Sequence, residues 1–455
     1  MFKYLPKSWP VWLILVVSAV VHFAYFGYPN QTVFDEVHFG KFITGYFTGE
    51  YFFDIHPPLA KLLMSLAGYF GGFRAGFSFS NIGEAFPDHS YLALRLLPTL
   101  AGMFLPVIVY WLARRLKLST LSATGIGLLV AIDGALLVQS RFMLLDAFLL
   151  LFGFSALLAY LRYREKPSYG NLLTTGLLAG LAGSVKWTGF SFLGLILLWE
   201  VIDLAIQYRD FFRKLLKPLL ITVLAGVVYF ATFAIHFSLL PKSGQGDAFM
   251  SSEFQAGLIG NSYQNDPNIK PLGLLSKFVQ LNAEMYRANQ NLTATHPYGS
   301  QWYTWPWLGR SIYYWNQNSG NGLESRIYLL GNPIIWWSSS IAMLWLLLNL
   351  LSRWFLRTGN DSTTKLLAGG YLFNLLPFVG ITRVMFLYHY FSALIFALLA
   401  VGYVLDGTSE KTKKATWALV LILAGLTFFY FAPLTYGLGG AATDLDKLFW
   451  FSSWR

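Results

Sequence analysis

Apolar residues come in eleven blocks, at about 10–28, 91–113, 119–138, 142–161, 170–186, 189–206, 218–239, 333–352, 366–381, 385–405 and 415–433. A helix needs ~20 mostly apolar residues to cross a bilayer, so the pattern predicts an all-α polytopic membrane protein of about eleven transmembrane helices. No A-x-A-type cleavage site follows the first block, which is therefore read as a retained helix. Two longer, more polar and aromatic-rich segments, about 29–90 and 240–332, interrupt the series on one side and are expected to carry short amphipathic helices. The chain then divides into an N-terminal transmembrane module (1–239, with outer loop 29–90), a loop region (240–332) and a C-terminal transmembrane module (333–455). The Gly176, Gly180 and Gly183 series reads as small-xxx-small helix packing, because no strand precedes it to make a phosphate loop.

Charge orients the spans. Lys3, Lys7, Arg114, Arg115, Lys117, Arg162, Arg164, Lys166, Arg209, Arg213, Lys214, Lys217, Arg353, Arg357, Lys365, Lys411, Lys413 and Lys414 all fall in the N-terminus and five short loops on one side. By the positive-inside tendency that side is cytoplasmic, which puts the two long segments and the C-terminus outside a cell membrane. These residues are 18 of 33 cations, so the net charge of +11 reports topology and calls for no nucleic-acid partner. Composition agrees: 12% charged residues, against ~25% in soluble domains, excludes an ordinary cytosolic globule. With no cysteine, disulfides and thiolate metal sites are excluded.

Several ionisable groups at the outer ends of spans are not explained by hydropathy, and such groups are costly unless paired, snorkelling or functional. Asp35 and Glu36 stand together after the first span among apolar residues, where a carboxylate shielded from water gains proton affinity and can serve as general base toward a hydroxyl. Spacing does not say which of the two does so. His56 is set on a rigid corner by Pro57 and Pro58. Arg95, Arg141, Lys186 and Arg383 are all expected at the outer face, and clustered cations there suit a lipid-linked phosphate. Asp146, Trp187, Asp247, His296, Tyr388 and His389 complete the candidates, with the aromatic run from His296 to Trp307 suited to sugar rings or peptide. The seven histidines show no H-x-x-x-H or HExxH spacing, so no metal site and no cofactor is read.

In order along the chain, the run Val33–Lys41, His56-Pro57-Pro58-Leu59-Ala60-Lys61, Arg95-Leu96, Asp133, Gln139-Ser140-Arg141 with Leu145-Asp146, Ser184–Gly189, Ser243–Asp247, His296-Pro297-Tyr298, Trp302, Gly331-Asn332-Pro333 and Tyr388-His389-Tyr390 resemble the protein O-mannosyltransferases. The resemblance implies a C-type glycosyltransferase fold and inverting transfer of mannose from a polyprenyl-phosphate mannose to Ser or Thr of exported polypeptides, near the export channel. It further implies that Asp35 is the catalytic base, that Glu36 and His56 support it or position substrate, and that Arg95, Arg141 and Lys186 hold the donor phosphate. The segment between spans seven and eight has no room for the β-trefoil (MIR) insertion of eukaryotic members, so the chain resembles the prokaryotic form. Where the family often has an Arg thirteen residues before the catalytic Asp, this chain has His22. Two rival readings remain at this level: the same fold acting on a lipid or glycan acceptor, and a transporter of lipid-linked sugars, which would carry charges deep in several spans.

Overall fold

The computed structural model describes residues 8–206, 211–320, 322–356 and 362–455. Each apolar block forms helix over most of its length, and the protein is a multi-pass membrane protein. Helix α1 is Trp9–Phe23, followed by two short helices of the first long segment, α2 (Glu36–Thr48) and α3 (Leu59–Phe70). Next come α4 (Tyr91–Arg115), the pair α5 (Thr120–Ala131) and α6 (Gly134–Ser140), α7 (Asp146–Glu165), α8 (Tyr169–Val185), α9 (Phe190–Ile206) and α10 (Phe211–Leu239). The second long segment holds α11 (Ser252–Gln255), α12 (Leu274–Asn291) and strands β1 (Ile312–Gly320) and β2 (Leu323–Leu329). After α13 (Pro333–Phe355), α14 (Ser362–Leu375), α15 (Phe391–Asp406) and α16 (Glu410–Tyr436), the chain ends in β3 (Gly440–Ala441) and α17 (Ala442–Asp446). Lys3, Lys7, Arg209 and Arg357 lie outside the described residues, as do the side chains of Arg213 and Lys214.

Among the described residues seven helical segments are long and apolar enough to cross a bilayer: α4, α7, α10, α13 and α16, and α9 and α15 each taken with the 3-10 turn before it (Trp187–Leu204 and Leu387–Asp406). The α5–α6 pair, bent by 57°, makes an eighth if it is one span. Helices α1, α8 and α14 run 15, 17 and 14 residues, short of a full ~20-residue crossing. The expectation of a wholly helical chain also misses a small sheet. Strands β1 and β2 pair antiparallel as a hairpin, and β3 from the C-terminal tail adds to β2. In the sequence this hairpin is hidden within an aromatic-rich stretch that hydropathy assigns to the interface.

The bend at Asp133 shows how polar groups lock the bundle. Its Oδ1 accepts Leu136 N–H at 3.0 Å, capping α6, and its Oδ2 accepts Asn332 N–H at 3.0 Å and the Trp336 indole at 2.8 Å. Asn332 in turn caps α13 by accepting Ile334 N–H at 3.1 Å, while its amide donates to Ala424 O at 2.9 Å. Pro333 follows at the first helical position, where its missing N–H costs nothing. A Cβ on residue 134 would lie 2.7 Å from Leu330 O, so only glycine lets α6 approach this junction. Small residues also set the α8–α10 contact. A Cβ on Gly176 or Gly180 would stand 3.0 and 2.8 Å from the backbone of Ile221 and Ala225.

Removing the shared acceptor at the bend strands three buried donors, each worth about 1–3 kcal/mol when left unsatisfied. Asp133→Ala is therefore expected to lower the melting temperature in detergent markedly, and Asp133→Asn, which keeps one acceptor oxygen, to lower it less. An unchanged melting temperature for Asp133→Ala would show that the junction does not hold the bundle.

Candidate functional site

The loop entering α2 turns sharply at Phe34, whose φ of +47° is a costly backbone region for a bulky side chain. Tyr314 on β1 holds it there. Phe34 N–H donates to Tyr314 O at 3.0 Å, and the two rings stack with centroids 4.2 Å apart. Beyond this turn Asp35 and Glu36 go separate ways. Glu36 is wholly buried. Its Oε1 accepts Arg95 Nε–H at 2.8 Å and Met143 N–H at 3.0 Å, and its Oε2 accepts Arg95 Nη2–H at 2.6 Å and Val33 N–H at 2.9 Å. The rest of the Arg95 guanidinium donates to the carbonyls of Gly27 (2.9 Å), Pro29 (2.7 Å) and Gln31 (2.7 Å). Both groups are fully used. Glu36 is thus a buried brace and not a catalytic group on the cavity, and Arg95 has no N–H left for a phosphate.

The Asp35 carboxylate, by contrast, has no hydrogen-bond or ion-pair partner among the described residues, and Asp35 lines a cavity of about 730 Å³. Burial pushes its carboxyl up to about 7. The positive charge of Lys186 opposes that rise, and the negative charges of Asp146 and Asp54 assist it.

Lys186 lines the same cavity because α8 stops at Val185 and a tight 3-10 turn at Trp187–Gly189 starts α9. Its ammonium contacts both Asp146 oxygens, at 2.8 and 2.9 Å, and lies 5.0 Å from the centroid of the Tyr388 ring. Asp146 Oδ2 also accepts Gln139 Nε2–H at 2.6 Å, and Gln139 Oε1 accepts the Tyr314 hydroxyl. A single run of hydrogen bonds therefore links Tyr314, the residue that holds the Asp35 turn, to Lys186. Gln139 and Tyr314 carried no sequence signal for this role beyond membership of a motif and an aromatic run. Arg383, between α14 and α15, also lines the cavity, without an ion pair among the described residues. Burial holds its guanidinium below the usual arginine range.

The remaining walls fix position. Lys61 pairs with Asp54 and donates to His56 O (3.0 Å) and Pro57 O (3.1 Å), locking the His56 corner. Burial, then the charges of Lys186, Lys61 and Arg383, push the His56 imidazole well below its ordinary range, so it is neutral. The Trp187 indole donates to the Tyr229 hydroxyl at 2.8 Å, and His389 stacks between Tyr388 and Trp305. Phe190, Phe373, Phe378, Ile381 and Phe391 make one side of the cavity apolar, and α12 closes another with Tyr286 and Asn289. Asn289 donates to Ile55 O at 3.3 Å, tying this cover to the His56 loop.

Beside Glu36 and Arg95, four further residues singled out in the sequence do not line the cavity. Arg141 is buried, donating to Thr435 O (3.1 Å), Ala24 O (3.3 Å) and Tyr25 O (2.8 Å), so it joins α6 to the ends of α1 and α16 instead of holding a phosphate. Asp247 organises its own loop, accepting from Ser243, from Gly244 N–H (3.1 Å) and from Asn261 (2.8 Å). That loop lies against the backbone of Tyr51–Phe53, where a Cβ on Gly244 or Gly246 would clash at 2.3 or 2.4 Å. Asp247 therefore acts on the strand of chain leading to His56 and not on a substrate in the cavity. His296 is exposed at the rim, its ring 5.1 Å from that of Phe386. His22 is buried under α4, donating to Ser18 O at 2.8 Å, and it does not reach the cavity.

Residues 12–241 match the family model described as dolichyl-phosphate-mannose-protein mannosyltransferase, and residues 274–454 match the C-terminal four-TMM region of protein-O-mannosyltransferase. Dolichyl-phosphate-mannose--protein mannosyltransferase 1 of Candida albicans is 36% identical over 274 residues, covering 57% of this chain and 31% of that protein. Protein O-mannosyltransferase 1 of Drosophila melanogaster is 37% identical over 268 residues, 55% of this chain and 30% of that protein. The matched stretch thus spans about a third of the length of these curated relatives. In fold, the chain superposes on a subunit of the Saccharomyces cerevisiae protein O-mannosyltransferase Pmt1-Pmt2 complex, solved with its sugar donor, with a TM-score of 0.91 at 21% identity, covering 100% of this chain and 93% of that one. The oligosaccharyltransferase AglB of Archaeoglobus fulgidus is more distant, with a TM-score of 0.55 at 14% identity over 97% of this chain and 57% of that one.

The two adjacent carboxylates should respond oppositely to neutralisation. Glu36→Gln leaves Arg95 buried without its counter-charge and is expected to cost about 3–5 kcal/mol, visible as a large drop in melting temperature. Asp35→Asn removes a charge whose burial is already unfavourable and should leave the melting temperature unchanged or slightly raised. A drop as large for Asp35→Asn as for Glu36→Gln would mean that Asp35 is held by partners it does not show here.

Proposed function

We infer the reaction of this cavity from a family membership: the chain belongs to the protein O-mannosyltransferases and has the C-type glycosyltransferase fold. The reading is inverting transfer of one mannose from a polyprenyl-phosphate mannose to a Ser or Thr hydroxyl of an exported polypeptide, at the extra-cytoplasmic face of the cell membrane. The observation that carries it is an unpartnered carboxylate, Asp35, facing the same cavity as two cations, Lys186 and Arg383, with an apolar wall beside them.

In this scheme Asp35 takes the proton of the acceptor hydroxyl as that oxygen bonds to the sugar's anomeric carbon. The anomeric carbon's bond to the lipid-phosphate oxygen breaks on the opposite face, and the electron pair leaves with the phosphate. Lys186 and Arg383 stabilise the charge that develops there, in a site with little water to screen it. Neutral His56 and the aromatic faces of Trp187 and Tyr388 position the sugar and acceptor. No metal or other cofactor is assigned a part. The name of the Candida albicans relative specifies a dolichyl-phosphate donor; a polyprenyl phosphate of any length presents the same head to these residues.

Purified protein is to be incubated with polyprenyl-phosphate mannose and a Ser/Thr peptide, with hexose addition read by mass. Asp35→Asn is expected to abolish transfer while the protein remains inserted and folded. Undiminished transfer would remove Asp35 as the base, and hexose appearing only on lipid would transfer the reading to another acceptor class. The base works only when ionised. With its pKa raised to about 7, kcat/KM is expected to climb about tenfold per pH unit below that value and level off above it. Asp146→Asn removes a negative charge that raises the Asp35 pKa and frees the charge of Lys186 that lowers it, so the midpoint should move to lower pH. A midpoint unmoved in that variant would show that another group controls the profile.

A further inference from the structure

At the end of the bundle away from Asp35, the last turns of α7 and α9 and the first turns of α10 enclose a second cavity, of about 170 Å³, lined by Tyr163, Arg164, Glu200, Asp203, Leu204 and Lys217. The mechanism makes no use of it. Arg164 and Asp203 neutralise each other across 2.8 Å. Among the described residues the other two charges have no such match. There Glu200, which is buried, meets only a neutral donor, the Tyr160 hydroxyl, at 2.8 Å. That hydroxyl itself accepts Arg164 Nη1–H at 3.2 Å, so it cannot bring Glu200 a full counter-charge. Lys217 has no carboxylate partner among the described residues; its ammonium lies 5.8 Å from the centroid of the Tyr163 ring. A carboxylate and an ammonium thus face one cavity without closing on each other, in helices that cross a membrane, where an uncompensated charge is costly and marks a functional site by default.

We propose that this cavity binds the head group of an aminophospholipid, its ammonium on Glu200 and its phosphate on Lys217. The ligand must carry both signs, cation toward Glu200 and anion toward Lys217, which is the charge order of a phosphoethanolamine head. It needs N–H donors, because Glu200 has acceptor capacity to fill, and a quaternary choline ammonium has none. It belongs to a lipid and not to a soluble zwitterion, because the helices around the cavity turn apolar side chains outward at the same level. Val201 and Ile202 of α9, and Leu215, Leu216 and Leu219 of α10, are exposed there and offer a surface for acyl chains. This site is separate from the sugar-transfer cavity and does not depend on the reaction assigned to it.

The test is native mass spectrometry of the full-length protein released from nanodiscs of equimolar phosphatidylethanolamine, phosphatidylcholine and phosphatidylglycerol. The wild-type protein is expected to retain one phosphatidylethanolamine preferentially, by at least fivefold over the other two. Glu200→Gln and, separately, Lys217→Met should each abolish that preference. Equal retention of the three lipids, or a preference for phosphatidylglycerol, overturns the proposal, as does a preference that survives both substitutions. Lys217 is partly exposed, so Lys217→Met reads the site even if Glu200→Gln fails to fold. Soluble O-phosphoethanolamine added in excess separates the two sources of the head group. Displacement of the bound lipid at low concentration would show that the acyl chains contribute nothing, and would overturn the lipid assignment.

Discussion

One buried ion pair, Glu36 with Arg95, underlies the rest of the active end of the molecule. Two charges are taken wholly out of water in an apolar chain, and their desolvation is offset only because every lone pair and every N–H finds a partner. The pair spans α2 and α4, and its outer hydrogens reach back to the carbonyls of Gly27, Pro29 and Gln31. The loop between α1 and α2 is thereby fixed at four points, these three carbonyls and Val33 N–H. That rigidity lets the next residue along, Asp35, remain unpaired in a half-buried place without the loop collapsing onto it. A group kept reactive by the absence of partners needs a neighbour that has all of them.

The same division of labour recurs around Lys186. Asp146 holds Lys186, Gln139 holds Asp146, and Tyr314 holds both Gln139 and the turn before Asp35. Base and cation are therefore not set independently. A shift of β1 would move both, so their spacing, on which the proposed transfer would depend, is carried by one strand residue.

Much of this was legible in the chain itself. Hydropathy located the helical blocks, and the surplus of ionisable groups at one end pointed to Asp35, His56, Asp146, Lys186, Arg383 and Tyr388, all of which share the cavity wall. What could not be read was how charges pair across long separations. Glu36 and Asp35 are equivalent by spacing, but adjacent residues at a helix start point in different directions, and the partner that claims Glu36 lies in another helix. Arg141 was indistinguishable from Lys186 for the same reason: its partners are backbone carbonyls of α1 and α16, which have no sequence signature. Asp247 looked like a substrate contact because its motif is polar and glycine-rich, although the glycines serve a close backbone contact with Tyr51 and Phe52. Tyr314 lay in a run of aromatic residues whose ordinary explanation is the membrane interface.

The clamp on the Asp35 turn also has a bearing on how the protein is made. Gln31 and Trp315, the neighbours of Phe34 and Tyr314, are hydrogen-bonded across 284 residues, and the β1 region is in turn fastened by the last turn of the chain, through Ser311 and Leu308 to Trp454. A ribosome delivering this chain to the membrane releases the Asp35 loop with the first span and the β1 residues that hold it only after six more helical blocks are in place. Until then the loop has nothing to keep its strained turn. The geometry of the Asp35 loop is thus conferred by residues far downstream of it, and a chain synthesised only as far as α10 carries the Asp35 carboxylate without the strand that positions it.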